Sequence, residues 1–145
     1  MSSMQYVVFS LGEEEFGIAI DFAQEIIRVP EQITHMPNMP SFIEGIVNLR
    51  GKIIPVIDLK KRFSFEQTER SVDSRLLVLD LENTLLGTIV DDVSEVLRIE
   101  DQAIEKLTYE LSSIGSSSIQ GIGKINDRLI LLLDALGMKA EVMQN

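Results

Sequence analysis

The sequence predicts an all-β fold in which two copies of one small, roughly five-stranded unit pack together around a pseudo-twofold axis. Three observations predict it: an internal duplication, a period-two hydrophobic pattern within each copy, and a length of 145 residues, which suits one ordinary domain or two very small ones. Separate halves of that size would each be marginal, so the copies are expected to share an interface.

The duplication is read directly from spacing. Residues 6–29 lie over residues 76–99 without a gap, with identities at Val8/Val78, Leu11/Leu81, Gly17/Gly87, Asp21/Asp91, Glu25/Glu95 and Arg28/Arg98. Residues 41–58 lie over 117–134, matching Ser41/Ser117, Ile43/Ile119, Gly45/Gly121, Ile46/Ile122, Ile54/Ile130 and Asp58/Asp134. The offset grows from 70 to 76 between the blocks, and the serine-rich run at 112–118 is the expected site of the inserted loop.

Each unit reads as strands. Residues 6–11 are β-branched and aromatic, Gly12, Glu13 and Glu14 supply a turn, and Phe16, Ile18 and Ile20 alternate with small or polar neighbours, which predicts a hairpin. Residues 45–49 and 52–59 predict a second hairpin around Arg50 and Gly51, with Pro55 needing an edge, a bulge or a strand end because it cannot donate to a ladder. Its counterpart spans 121–125 and 128–133 around Asn126 and Asp127. A third strand is expected at 25–29 and again at 95–99. Short helices are expected at 58–63 and 134–143, each opened by an aspartate able to accept hydrogen bonds from first-turn amides. The first unit thus covers about 6–63 and the second about 76–134, with the last helix packing back on the body.

Composition narrows the function. With 23 acidic and 13 basic residues the net charge is −10, which repels nucleic acid and anionic membranes. The nearest basic cluster, Arg50, Lys52, Lys60, Lys61 and Arg62, holds no aromatic residue among its charges to stack a base and is expected at a solvated strand edge. Cysteine is absent, which removes disulfides, thiolate metal sites and cysteine nucleophiles. No apolar run reaches the roughly 18 residues a membrane span needs, and residues 1–5 lack signal-peptide character, so the cytoplasm is the expected compartment.

Catalytic constellations are equally sparse. The single histidine, His35, lies in a loop-like stretch between prolines with no sulfur ligand to join it. The carboxylates Asp91 and Asp92, like Glu13, Glu14 and Glu15, are neighbours, and neighbours on a strand point to opposite faces. Gly121, Ile122, Gly123 and Lys124 match neither a P-loop nor a dinucleotide fingerprint. The residues both halves share are read as building the unit; Glu25 and Arg28, recurring as Glu95 and Arg98, are read as a structural surface pair. Residues present in one half only are the better candidates for a specific task. Arg50 is such a residue, at a hairpin tip, and arginine is enriched among interface anchors. A groove between the units, lined by Ala23, Ile27, Val96 and Leu97 and rimmed by charge, would suit a partner helix.

The run FIEGIVNLRGKIIPVIDL (residues 42–59) resembles the central motif of the CheW family, and the resemblance extends to FGI at 16–18, QEI at 24–26, GTIVDDVSEVL at 87–97, GIG at 121–123 and LLLD at 131–134. It implies two five-stranded barrels of the Src-homology-3-like type forming a single CheW-like domain over 1–145. It also implies a cytoplasmic chemotaxis adaptor with no enzymatic activity, no cofactor and no metal. The partners it implies are the cytoplasmic tip of methyl-accepting chemoreceptors, through which the adaptor reaches the inner membrane face in arrays, and the regulatory domain of the histidine kinase CheA. The duplication occupies the chain, which leaves no room for the kinase or receiver domain that other members carry. By the same resemblance the receptor surface draws on Ala23, Glu25, Ile27, Arg50 and Val96, with Gly45 and Gly87 as kinase-binding or fold-supporting positions. Ala23 is smaller than the branched residue expected at its place.

Overall fold

A computed structural model describes residues 2–66, 69–106 and 119–143. The first expected hairpin is β1 (Ser3–Leu11) and β2 (Glu14–Ala19), in register from Tyr6 opposite Ala19 to Leu11 opposite Glu14. A 3-10 turn at Ile20–Phe22 leads to β3 (Ala23–Arg28), and a loop then reaches β4 (Ile43–Leu49) and β5 (Lys52–Asp58). The tip of this second hairpin is a tight turn with φ of 51° at Arg50 and 87° at Gly51, closed by Gly51 N–H donating to Asn48 Oδ1 at 2.9 Å. Pro55 sits one residue before β5 begins to pair with its second neighbour at Val56, so its missing N–H breaks no ladder there.

The second repeat supplies β6 (Arg75–Asp80), β7 (Leu85–Val90), β8 (Asp92–Glu100), the short β9 (Ile104–Lys106), β10 (Ile119–Ile125) and β11 (Arg128–Leu133). Both expected helices form: α1 (Leu59–Arg62), where Asp58 Oδ1 accepts from Lys60 N at 2.9 Å and Lys61 N at 3.3 Å, and α2 (Ala135–Met143), where Asp134 Oδ1 accepts from Gly137 N at 3.0 Å. The serine-rich run at 112–118 lies outside the described residues.

The sheets do not follow the repeats. One has six strands in the order β8-β1-β2-β11-β10-β9, the other five in the order β3-β6-β7-β5-β4. Each sheet therefore takes its inner hairpin from the opposite repeat, so the 6–63 and 76–134 units are sequence repeats that both sheets cross. The chain changes sheet at the turn holding Asp21 and again at Asp91, an identical pair in the duplication. Asp91 secures its crossing by accepting from Gly12 N at 2.7 Å and pairing with Lys60 Nζ at 3.2 Å.

Hairpin exchange buries β1 and β6 on both faces. Val7, Phe9 and Leu11 join Leu77, Leu79, Leu81, Leu86 and Val90 in the largest core, which lies between the sheets and also takes Phe16, Ile57, Ala135 and Met138. The alternate residues face separate cores: Leu76 and Val78 pack with Val47, Ile54, Val56 and Ile89, while Tyr6 and Val8 pack with Ile99, Ile130 and Leu132. Two barrel interiors thus flank one shared seam.

The basic run expected at a solvated strand edge is placed differently. Lys60, Lys61 and Arg62 lie on α1, with Lys60 buried against Asp91, Lys61 hydrogen-bonded to Glu44, and Arg62 over the rings of Phe42 and Phe63. Burial pushes the Glu44 carboxyl up, but Lys61 and Arg70, the latter at 3.1 Å, together outweigh it and hold the group below the usual glutamate range. A lowered folded-state pKa contributes stability that is complete above the unfolded value of about 4.3 and is lost as pH falls through the folded value. Glu44→Gln is therefore expected to flatten the acid limb of a plot of urea midpoint against pH below about pH 4.5, with little change in its shape above pH 6.

Candidate docking surface

The Arg50 side chain, 68% exposed, donates to the 21% exposed Glu25 carboxylate across the gap from hairpin tip to β3. This pairing replaces the expected Glu25–Arg28 pair, because residues three apart on a regular strand point to opposite faces; a β-bulge between Ala23 and Glu25 separately resets the alternation at the start of the strand. Past the bulge, Glu25 and Ile27 share the face of their cross-strand partners Val78 and Leu76, the barrel interior, where Ile27 packs. Ala23 and Ile26 lie instead opposite Leu79 and Leu77, on the seam side, where Ala23 packs and Ile26 is 44% exposed.

Val96 belongs to the other sheet, on outer strand β8 opposite Val7, and is 48% exposed. It is the repeat equivalent of Ile26. The equivalent strands β3 and β8 thus each present one exposed branched apolar residue on the seam-side face, and Ile26 is the one that sequence reasoning passed over in favour of Ile27. The signal was available in the 70-residue offset that joins Ile26 to Val96. A second equivalent pair, Ile53 and Leu129, is 62% and 60% exposed, each close behind the tip of its hairpin.

The ionic pairing also has a counterpart. Arg128 donates to Glu15 through Nε at 3.0 Å and Nη2 at 2.6 Å, and to Glu95 at 2.8 Å. Its hydrogen bond to Glu15 holds that carboxyl below the usual range. Glu95 is the repeat equivalent of Glu25, so both units tie this glutamate to an arginine of the second hairpin, once from the tip and once from the strand after it. Arg50 has one carboxylate partner and is largely open; Arg128 is shared between two and is only 35% exposed.

The two candidate glycines have packing duties. A Cβ on Gly45, whose φ is +149°, would lie 2.0 Å from Thr34 O, and one on Gly87 would lie 3.0 Å from Leu76 Cδ1. His35 is exposed in the loop before β4. A cavity of about 630 Å³ is bounded by Gly12, Glu13, Glu14, Lys60, Phe65, Glu66 and Asp91, and its Lys60–Asp91 pair is engaged in joining the two repeats. Among the described residues, no group of three or more His, Cys, Asp or Glu side chains is placed to hold a metal ion, and no helix is long and apolar enough to cross a membrane.

Paired barrels that repeat an exposed apolar residue and a glutamate–arginine contact about a common seam define a scaffold, a protein that works through its surfaces. The comparisons agree with that class. The profile of the CheW-like domain matches residues 5–142. The chemotaxis protein CheW of Klebsiella aerogenes is 34% identical over 130 residues, covering 90% of this chain and 78% of that protein. The chemotaxis protein CheW of Treponema pallidum is 35% identical over 134 residues with the same coverage. The crystal structure of the scaffolding protein TtCheW from Thermoanaerobacter tengcongensis superposes with a TM-score of 0.83 at 41% identity, covering 92% of this chain and 85% of that one. The chain belongs to the CheW-like domain family; it is an adaptor of chemotaxis and not an enzyme.

Proposed function

We propose that this chain couples methyl-accepting chemoreceptors to the histidine kinase CheA in the cytoplasm, binding both at once so that receptor state reaches the kinase without any covalent change in the adaptor. The observation that carries the reading is the open Arg50–Glu25 contact beside β3, whose seam-side face presents the exposed Ile26. A charged rim next to a branched apolar anchor suits one face of a receptor helix. Val96 offers the equivalent anchor on β8, and Ala23, packed into the seam, sets the floor and not the contact. The exposed Ile53 and Leu129 at the hairpin ends fit the regulatory domain of the kinase, leaving the receptor face free for simultaneous docking. Gly45 and Gly87 support the fold on which these surfaces stand.

The test is titration of the full chain with a receptor cytoplasmic fragment and with the kinase regulatory domain from the same source. Arg50→Ala is expected to weaken receptor binding tenfold or more, as anchors of this type do. The exposed ion pair adds little to folding, so the melting temperature should stay within about 3 °C of wild type. Unchanged affinity for both partners would remove Arg50 from the surface.

A further inference from the structure

Arg28 and Arg75 stand directly opposite each other in the antiparallel pair of β3 and β6. Cross-strand partners share a face, so two guanidinium groups project from the same side of the sheet, two residues along β3 from the exposed Ile26. Like charges so placed destabilise a sheet, and among the described residues neither arginine is ion-paired, in a chain of net charge −10. Arg28 is exposed. Arg75 is held in place by its Nη1, which donates to Val72 O at 2.7 Å and Ser74 O at 2.8 Å, so that its Nε and Nη2 hydrogens remain for another acceptor.

The arrangement is confined to one repeat. Arg98, the equivalent of Arg28, faces Gln5 across β1 and β8 and donates to Ser3 Oγ at 3.1 Å. The fold therefore does without the second arginine, and the doubled charge on the β3 side is a property of that surface alone. Planar guanidinium groups favour bidentate acceptors, and an apolar neighbour at Ile26 selects an acceptor carried on a protein segment over a free anion.

We propose that Arg28 and Arg75 anchor an acidic side chain of the receptor helix that docks on β3, with the Ile26 contact two residues away. The helix then carries a glutamate or aspartate one turn from an apolar residue, spacing that puts both on one face. This rests on the receptor-coupling reading and specifies the chemistry its partner must carry.

The experiment titrates the full chain with the receptor cytoplasmic fragment at 50 and 300 mM NaCl. For wild type, affinity is expected to fall with salt. For Arg28→Gln/Arg75→Gln, binding at 50 mM is expected to weaken about tenfold and to lose most of its salt dependence, whereas Arg28→Lys/Arg75→Lys keeps the salt dependence. Because the substitutions relieve repulsion, Arg28→Gln alone should melt at the same temperature as wild type or higher, a combination that a structural role for the arginine does not produce. A double glutamine variant that binds as wild type does overturns the inference and leaves the coupling reading standing. A wild-type protein that does not bind the fragment overturns both.

Discussion

Replacing Gly45 by alanine is expected to cost about 3–5 kcal/mol of folding stability, a large effect for a change of one methyl group. The added Cβ would sit 2.0 Å from Thr34 O, inside any contact distance, at a φ of +149° that L side chains rarely adopt. Thr34 cannot withdraw freely, because its carbonyl accepts from Ile46 N and its N–H donates to Ile46 O, both at 2.9 Å, the bridge that covers the edge of β4. Losing two backbone hydrogen bonds at about 1 kcal/mol each, with backbone strain of about 1–3 kcal/mol, accounts for the figure. Gly51→Ala is the internal contrast: its φ is +87°, yet nothing lies within 4 Å of the new methyl, so strain alone acts and about 1–2 kcal/mol is expected. Urea midpoints of the two variants measure the difference, and equal midpoints would refute the steric account.

Phe16→Ala is expected to cost a similar 3–5 kcal/mol, for a different reason. Its ring is 2% exposed in the seam core and stacks on Phe9 at 5.9 Å and on Phe63 at 5.5 Å, with Phe65 tilted against it at 6.0 Å. These rings come from β1, β2 and the segment after α1, so the void opens where the two sheets meet. Amide hydrogen exchange should accelerate in β1, β2 and also β5, whereas a substitution confined to one barrel interior, such as Ile54→Val, should spare most of the other sheet and cost only about 0.5–1.5 kcal/mol. A loss of protection restricted to the β1–β2 hairpin would show that the seam does not unify the fold.

Hairpins, turn positions and both helix caps were legible from the chain because each rests on local chemistry: alternation around Phe16 and Ile18, left-handed turn residues at Arg50 and Gly51, aspartates at 58 and 134. The exchange of hairpins was not, since a duplicated pattern is the same whether each unit closes on itself or on its neighbour. Its trace is the unbroken apolar character of residues 6–9 and 76–79, which only burial on both faces explains. In the site, the contact between Glu25 and Arg50 replaces the Glu25–Arg28 pair that the repeat suggested, while strict alternation would have set Ala23, Glu25 and Ile27 on one face. The bulge before Glu25 divides them, sending Ile27 inward and Ile26 outward, and a bulge leaves no mark in residue type. Arg128 escaped notice because its repeat equivalent is Lys52, not Arg50, so the similar ionic contact is reached from a different backbone position.

The sheet order also sets a timetable for synthesis. Ser3 pairs with Glu100, and Phe16 with Leu131, so the first hairpin has no permanent neighbour on either side until most of the chain has been made. At ribosomal speeds of about 5–20 residues per second, β1 waits roughly 5–20 s for β8. During that interval Val7, Val8 and Phe9, buried in the finished fold, lack the neighbours that cover them, so slower translation lengthens the time for which this apolar surface is open to aggregation.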